Sequence, residues 1–269
     1  MPELPEVETI RRDLAPLIGQ RLKGVIVRLS KLVRPGPGAL KSLVGQDLQE
    51  ISRRGKLLLL DFGERVLLVH LGLTGALVLQ RGQGGPPPHT HLTLQFTRDR
   101  LFYADLRQFG WLEVVPREDL PRHRFYASLG PDALGVSYQE FSHRLRASGR
   151  RLKALLLDQK VLAGLGNIYV DESLFRAGLH PERPANTLSP EELKRLHEAI
   201  QEVLQRALEL RGSSVRNYVD GRGEAGAFQE EHLVYGRRGN PCPRCGTPLA
   251  YKVVAGRGTT FCPRCQHLP

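Results

Sequence analysis

The chain has 269 residues, 41% of them hydrophobic, and a formal net charge of +11. That is apolar material for about two domains with ordinary cores, which excludes disorder as the default, and no run approaches the roughly 18 apolar residues of a membrane span. The start is acidic where a secretory signal needs a basic one, so a cytoplasmic protein working away from membranes is expected, and the basic balance calls for a polyanionic partner.

After Pro5, Val7, Ile10, Leu14 and Leu17 recur at helical spacing, with Glu6 and Glu8 in the first turn, where the helix dipole favours acids. Pro2 and Glu3 therefore sit just before a helix. Removal of Met1 would leave a proline secondary amine beside a carboxylate. An α-amino group has a pKa of about 7.7 to 8.0, so roughly a tenth of it is neutral near pH 7 and nucleophilic. Condensed with an aldehyde it gives an iminium, which accepts electrons and eases elimination from the neighbouring carbon. The helix end lowers the amine pKa and Glu3 raises it, and the sequence leaves that balance open. Taken alone, these residues also read as a frayed terminus.

From Leu22 to Pro116 the pattern is strand-like, over 25–27, 56–62, 66–70 and 76–79, then at Leu92, Leu94 and Phe96 in alternation. This predicts a sandwich or barrel behind one helix. The stretch 97–100 reads as a hairpin connection and 80–88, rich in Gly and Pro, as a mobile loop. Gly130-Pro131 and Gly135 punctuate a linker, after which helices are expected over 137–147, 152–158, 168–177 and 189–210, the last with Ser189 as cap and Glu192 reaching back. Residues 212–226 are polar and glycine-rich, a flexible loop able to order on a ligand. A single methionine, four cysteines, abundant arginine and loop prolines resemble a heat-adapted composition.

Cys242-Pro-Arg-Cys245 and Cys262-Pro-Arg-Cys265 are two CxxC pairs at the spacing of two hairpin knuckles closing a tetrahedral zinc site. Disulfides are the alternative, disfavoured in a reducing compartment. Four thiolates saturate the metal, so one structural zinc is expected. Between the knuckles Lys252, Arg257, Thr259 and Thr260 offer a cationic and hydroxylic surface suited to phosphates.

The motifs Pro2-Glu3-Leu4-Pro5-Glu6-Val7-Glu8-Thr9, Arg53-Arg54-Gly55-Lys56, His70-Leu71-Gly72, the stretch 105–110, Gly164-Leu165-Gly166-Asn167-Ile168-Tyr169 and the four-cysteine finger occur in an order that resembles the formamidopyrimidine-DNA glycosylase family over essentially the whole chain. The resemblance implies an α+β fold: an N-terminal β-sandwich or barrel domain with a leading helix (1–125), a linker (126–136), a helix-two-turns-helix DNA-binding domain (137–232) and a β-hairpin zinc finger (233–269). It implies a bifunctional DNA glycosylase and abasic-site lyase in base excision repair, acting as a monomer on duplex DNA that contains oxidised purines or abasic sites, in a bacterial cytoplasm on the nucleoid, with no cofactor beyond zinc. Pro2 then matches the nucleophile, Glu3 the acid of ring opening, Lys56 the proton donor of β-elimination and Arg257 the phosphate grip assigned to δ-elimination. Asn167 matches a phosphate contact at a helix N-terminus, Lys153 and Glu172 match positions near the DNA or the nucleophile, and His89, His70 and Arg150 are further candidates for the DNA groove. Leu73, Arg107 and Phe109 match the three positions that fill the gap left by a flipped base, Arg107 on the widowed cytosine and Phe109 as wedge. Leu73 departs from the methionine common there and keeps an apolar filler. Arg107-Gln108-Phe109 resembles the branch for 8-oxoguanine and formamidopyrimidines, because the related endonuclease VIII branch fills the gap with a different, contiguous trio. Two alternatives stay open: the endonuclease VIII-like branch for oxidised pyrimidines, and a non-catalytic damaged-DNA-binding protein.

Overall fold

The computed structural model describes residues 2–82, 84–215 and 217–268 and divides into two compact units, Met1–Ala127 with Leu210–Ala227, and Ser128–Glu209 with Phe228–Pro269. Met1, on whose removal the expected N-terminal chemistry depends, Gln83 in the 80–88 loop, Arg216 in the 212–226 loop and Pro269 lie outside the described residues.

In the first unit, α1 (Leu4–Asp13) starts with Pro5 in its first turn, where a missing N–H costs nothing, and with a capping box between Glu3 and Glu6. Its stripe of Val7, Ile10 and Leu14 is fully buried. There follow β1 (Leu22–Val27), β2 (Val33–Arg34), α2 (Pro37–Lys41), β3 (Glu50–Arg54), β4 (Leu57–Asp61), β5 (Arg65–His70), β6 (Gly75–Arg81), β7 (Thr90–Phe96), β8 (Asp99–Asp105), β9 (Trp111–Pro116) and α3 (Arg124–Ser128). The strands form a four-stranded sheet in the order β1-β7-β8-β6 and a five-stranded sheet in the order β2-β9-β5-β4-β3, antiparallel except for the β2–β9 pair. Leu22, Leu77, Leu92, Leu94 and Leu101 from one sheet share a core with Leu58, Leu60, Leu67, Val69 and Leu112 from the other, and α1 packs into the same cluster.

β4 is buried at every position because the five-stranded sheet is covered on both faces. Its Leu57 and Leu59 face a second cluster with Val66, Leu68 and Trp111, roofed by Leu120, Phe125 and Tyr126. β7 and β8 are joined by Thr97-Arg98 in a hairpin whose register pairs Leu94 with Leu101.

The second unit holds α4 (Tyr138–Arg146), α5 (Leu152–Leu156), α6 (Asn167–Ala177), α7 (Pro190–Glu209) and the hairpin of β10 (Ala250–Val254) and β11 (Arg257–Phe261). α6 ends at Gly178, which adopts the left-handed conformation of a helix C-cap (φ +70°). At the head of α7 the Glu192 amide donates to Ser189 Oγ at 3.2 Å and the Ser189 amide donates to Glu192 Oε2 at 2.9 Å, the reciprocal cap its sequence predicts. Leu193, Leu196, Ile200, Val203 and Leu204 are its buried face. Among the described residues no helix is long and apolar enough to cross a membrane.

The segment 210–227, expected within the helical domain, packs instead with the first unit. The reason is ionic. Arg211 is clamped between Asp13 at the end of α1 and Asp220, and the Gly221 amide donates to Asp13 at 3.1 Å.

Candidate active site

Pro2 and Glu3 are buried at the start of α1, Glu3 with 3% of its surface exposed. The Glu6 carboxylate holds this terminus in place. Its Oε2 accepts from the Glu3 amide and its Oε1 from the Ser213 amide, each at 2.8 Å. One buried acid thus joins the start of α1 to the start of the 212–226 loop. Gly212 lies against it at φ +84°, where a Cβ would come within 2.8 Å of Glu6 Oε1, so the close approach needs glycine. The Tyr218 hydroxyl reaches the carbonyls of Arg211 at 3.2 Å and Glu6 at 3.4 Å. Burial, reinforced by the charges of Glu6 and Asp220, pushes its pKa up and keeps it a neutral donor.

Lys56 was expected inside a strand and is found in the two-residue turn Gly55-Lys56 between β3 and β4. Register is the cause. Arg54 pairs with Leu57, and Gly55 takes φ +58° as so tight a hairpin demands. The turn is tied to α1, because Arg53 donates to the Gly55 carbonyl at 2.9 Å and pairs with Glu8 at 3.2 Å. Burial alone would raise the Glu8 pKa, but hydrogen bonds from Arg11 and Arg12 and the charges of Arg11 and Arg53 hold it down at about 2.

His70 ends β5 opposite Leu57, its ring stacked on Trp111 at 5.6 Å and edge-on to Phe125 at 5.4 Å. Burial, then the charges of Lys56 and Arg34, lower its pKa to about 4. It is therefore neutral at pH 7. Its Nδ1 accepts from the Gly72 amide at 3.2 Å, which assigns the proton to Nε2 and leaves that nitrogen a donor.

Leu73, Arg107 and Phe109 lie on two neighbouring turns of the first unit. The 71–75 turn closes with the Gly75 amide on the Leu71 carbonyl at 2.8 Å, and Gly72 abuts the backbone of Phe109 and Gly110. Phe109 is 57% exposed and the Arg107 guanidinium sits 5.0 Å above its ring. Gln108 between them takes φ +58°. His89 is exposed, also at positive φ, and its carbonyl accepts from the Asp105 amide at 3.1 Å.

In the second unit Asn167 opens α6 and donates from Nδ2 to the Gly258 carbonyl at 2.9 Å, while its buried Oδ1 has no hydrogen-bond partner among the described residues. Arg257 is exposed at the start of β11, after a two-residue turn in which Ala255 and Gly256 both have positive φ. Arg150 is exposed and pairs with Asp158 at 2.8 Å.

Lys153 and Glu172, expected near the DNA or the nucleophile, are interior residues. Lys153 has no exposed surface; its Nζ lies 2.6 Å from Asp171 Oδ1 and 3.1 Å from the Gly258 carbonyl. Glu172 is 2% exposed and accepts the amides of Leu233, Val234 and Tyr235 at 2.8 to 3.0 Å. Both act as ties, Lys153 to β11 and Glu172 to the chain that leads into the cysteine cluster. Thr259 and Thr260 are likewise buried, at 1% and 5%, and Lys252 is engaged by Glu182.

The four cysteine sulfurs lie within 4.8 Å of one another, with Cys242 to Cys265 at 3.9 Å and Cys245 to Cys262 at 3.5 Å. A zinc–sulfur bond of about 2.3 Å sets tetrahedral sulfurs about 3.8 Å apart, so the cluster fits one zinc ion. With four thiolates no coordination position is left for substrate, and the metal is structural.

The sequence places Glu6 in the first turn of a helix and Asp105 at the head of the 105–110 motif but assigns no role to either, nor to Thr74 or Asp171, because most of their partners are backbone amides or distant residues that no spacing signals.

Three family models cover the chain: the formamidopyrimidine-DNA glycosylase N-terminal domain over residues 1–112, the formamidopyrimidine-DNA glycosylase H2TH domain over 129–219, and a zinc finger found in FPG and IleRS over 239–268. The formamidopyrimidine-DNA glycosylase of Geobacillus kaustophilus is 46% identical over 99% of this chain and 100% of its own. Among solved structures, the Lactococcus lactis Fpg bound to DNA with an abasic site is 40% identical with a TM-score of 0.91, covering 99% of this chain and 100% of that one. The Thermus thermophilus MutM (Fpg) protein is 46% identical with a TM-score of 0.88 and 98% coverage of both chains.

Proposed function

The chain belongs to the formamidopyrimidine-DNA glycosylase family, and from that premise we propose that it is a bifunctional DNA glycosylase and abasic-site lyase that excises 8-oxoguanine and formamidopyrimidines from duplex DNA. The observation that carries this reading is the buried Pro2-Glu3 pair at the positive end of α1, a nucleophile with its acid on a rigid element.

Once Met1 is removed, the Pro2 nitrogen attacks C1′ of the damaged nucleoside and the base leaves with its bonding electrons, taking up a proton. Glu3 protonates the ring oxygen as the sugar opens, which leaves an iminium between C1′ and the proline. The iminium draws electrons from C2′. Loss of a C2′ proton expels the 3′ phosphate, and a second proton loss expels the 5′ phosphate. Water then hydrolyses the C=N bond and returns the free amine.

Lys56, on a turn fixed through Arg53 and Glu8, donates a proton in the first elimination, and Arg257 grips the phosphate that leaves in the second as a planar fork. Asn167 offers its second Nδ2 hydrogen to a phosphate, and Arg150, His89 and the neutral His70 add backbone contacts. Leu73 and Phe109 fill the vacated space and Arg107 pairs with the widowed cytosine, which returns part of the few kcal/mol that flipping costs. Lys153 and Glu172 support these groups from the interior. The protein acts as a monomer in the bacterial cytoplasm.

The test is cleavage of a duplex with one 8-oxoguanine opposite cytosine. The expected product is a one-nucleotide gap with phosphate on both ends. Preference for a thymine glycol duplex would move the protein to the oxidised-pyrimidine branch, and tight binding of abasic DNA without a cut would make it a damage-binding protein.

A further inference from the structure

We infer that the Asp105 carboxylate positions the gap-filling tip, locking the Leu73 turn and the 106–110 turn into one rigid wedge that meets the base opposite the lesion. The inference rests on the duplex-DNA reading above and deepens it. Asp105 has no exposed surface, yet its carboxylate bonds are made in and beside the tip. Oδ1 accepts from Thr74 Oγ1 at 2.6 Å; Oδ2 accepts from the Gly110 amide at 2.8 Å and the Tyr103 hydroxyl at 3.3 Å. Thr74 Oγ1 in turn accepts from the Arg107 amide at 2.9 Å. A continuous chain of donors therefore runs from the Arg107 backbone through Thr74 to a buried anion, and charge-assisted links of this kind are the strong ones.

The tip has reason to need this support. Phe109 and Leu106 are 57% and 49% exposed, large apolar side chains held partly in water. Gln108 adopts φ +58°, a backbone state that relaxes unless its neighbours impose it. Gly72 completes the lock, since a Cβ there would stand 2.6 Å from both Phe109 C and Gly110 N. A wedge ordered before DNA arrives does not have to be ordered during flipping, which is where preorganisation adds to binding. The sheet beneath is held by backbone and not by the carboxylate, since Asp105 stands in register opposite Gly75 and its amide donates to the His89 carbonyl at 3.1 Å. Asp105 is thus a positioning residue that touches no substrate.

Asp105→Asn, Thr74→Val and Thr74→Ser are made in the full-length, zinc-loaded protein. Each is assayed for single-turnover excision of 8-oxoguanine opposite cytosine and opposite adenine, and for cleavage of a single-stranded oligonucleotide with one abasic site. In Asp105→Asn and Thr74→Val the preference between the two opposite bases falls by about tenfold and the enzyme concentration for half-maximal duplex excision rises. Single-strand cleavage, which needs no wedge, is unchanged, and Thr74→Ser restores the wild-type preference. Wild-type preference and half-saturation in both Asp105→Asn and Thr74→Val overturn the inference, as does single-strand cleavage that falls in step with duplex excision. A wild-type protein that cuts neither substrate overturns the glycosylase reading instead.

Discussion

Replacing Lys153 with methionine removes a charge that the second unit has buried completely. Asp171, 2% exposed, would lose the ammonium at 2.6 Å and keep the Thr260 amide at 3.2 Å. The Gly258 carbonyl would lose a donor at 3.1 Å and keep Asn167 at 2.9 Å. The backbone is thus still served while the carboxylate is stranded, and breaking one partner of such a pair costs about 3–5 kcal/mol. At about 2–4 °C per kcal/mol for a protein of this size, the melting temperature of the zinc-loaded protein should fall by roughly 10 °C in calorimetry. Adding Asp171→Asn removes the stranded charge and keeps an acceptor for Thr260, so the double variant should recover most of the loss, with a coupling energy on the order of 2 kcal/mol. A single variant that loses less than about 1 kcal/mol, or a double variant whose losses simply add, would refute this reasoning.

Chelation of zinc should release β10 and β11, because the hairpin buries little without the metal; faster amide exchange over 250–261 and loss of duplex binding are the readouts. Asp13→Ala should loosen the 212–226 loop, since Arg211 then keeps only Asp220 of its two acids and Arg222 loses its partner; faster amide exchange there and slower 8-oxoguanine excision are expected, with abasic cleavage preserved. Acid should destabilise the first unit in two steps. His70 titrates at about 4 when folded against an ordinary 6.5, so the unfolded chain holds the extra proton between those values and the site's stability, present above 6.5, is lost as pH falls toward 4. Glu8, held at about 2 against 4.5, adds stability present above 4.5 and lost as pH falls through 2. His70→Phe, which keeps the stacking on Trp111, should flatten the limb between pH 6.5 and 4 in thermal melts.

What the sequence makes legible here is what depends on local spacing. The two CxxC pairs, the Ser189–Glu192 cap and the apolar stripe of α1 each declare themselves within a few residues, and all three are present in the fold. Lys56 was misplaced by one residue because a strand of leucines gives no sign of where its hairpin turns. The burial of Lys153 and Glu172 escapes the sequence for a deeper reason. A charged side chain is by default exposed, and the partners that overturn the default, Asp171 with Gly258 and the amides of 233–235, stand far off along the chain. The same holds for the 210–227 segment, whose assignment turns on Arg211 meeting Asp13 at a separation of 198 residues.

The proposed reaction turns on the proline behind Met1 as its nucleophile. Fully processed protein incubated with 8-oxoguanine duplex and borohydride, then digested and analysed by mass spectrometry, should yield one peptide bearing the reduced sugar on the Pro2 nitrogen. A trapped adduct on Lys56 or any other lysine, or none with processed protein that binds the duplex, would contradict it.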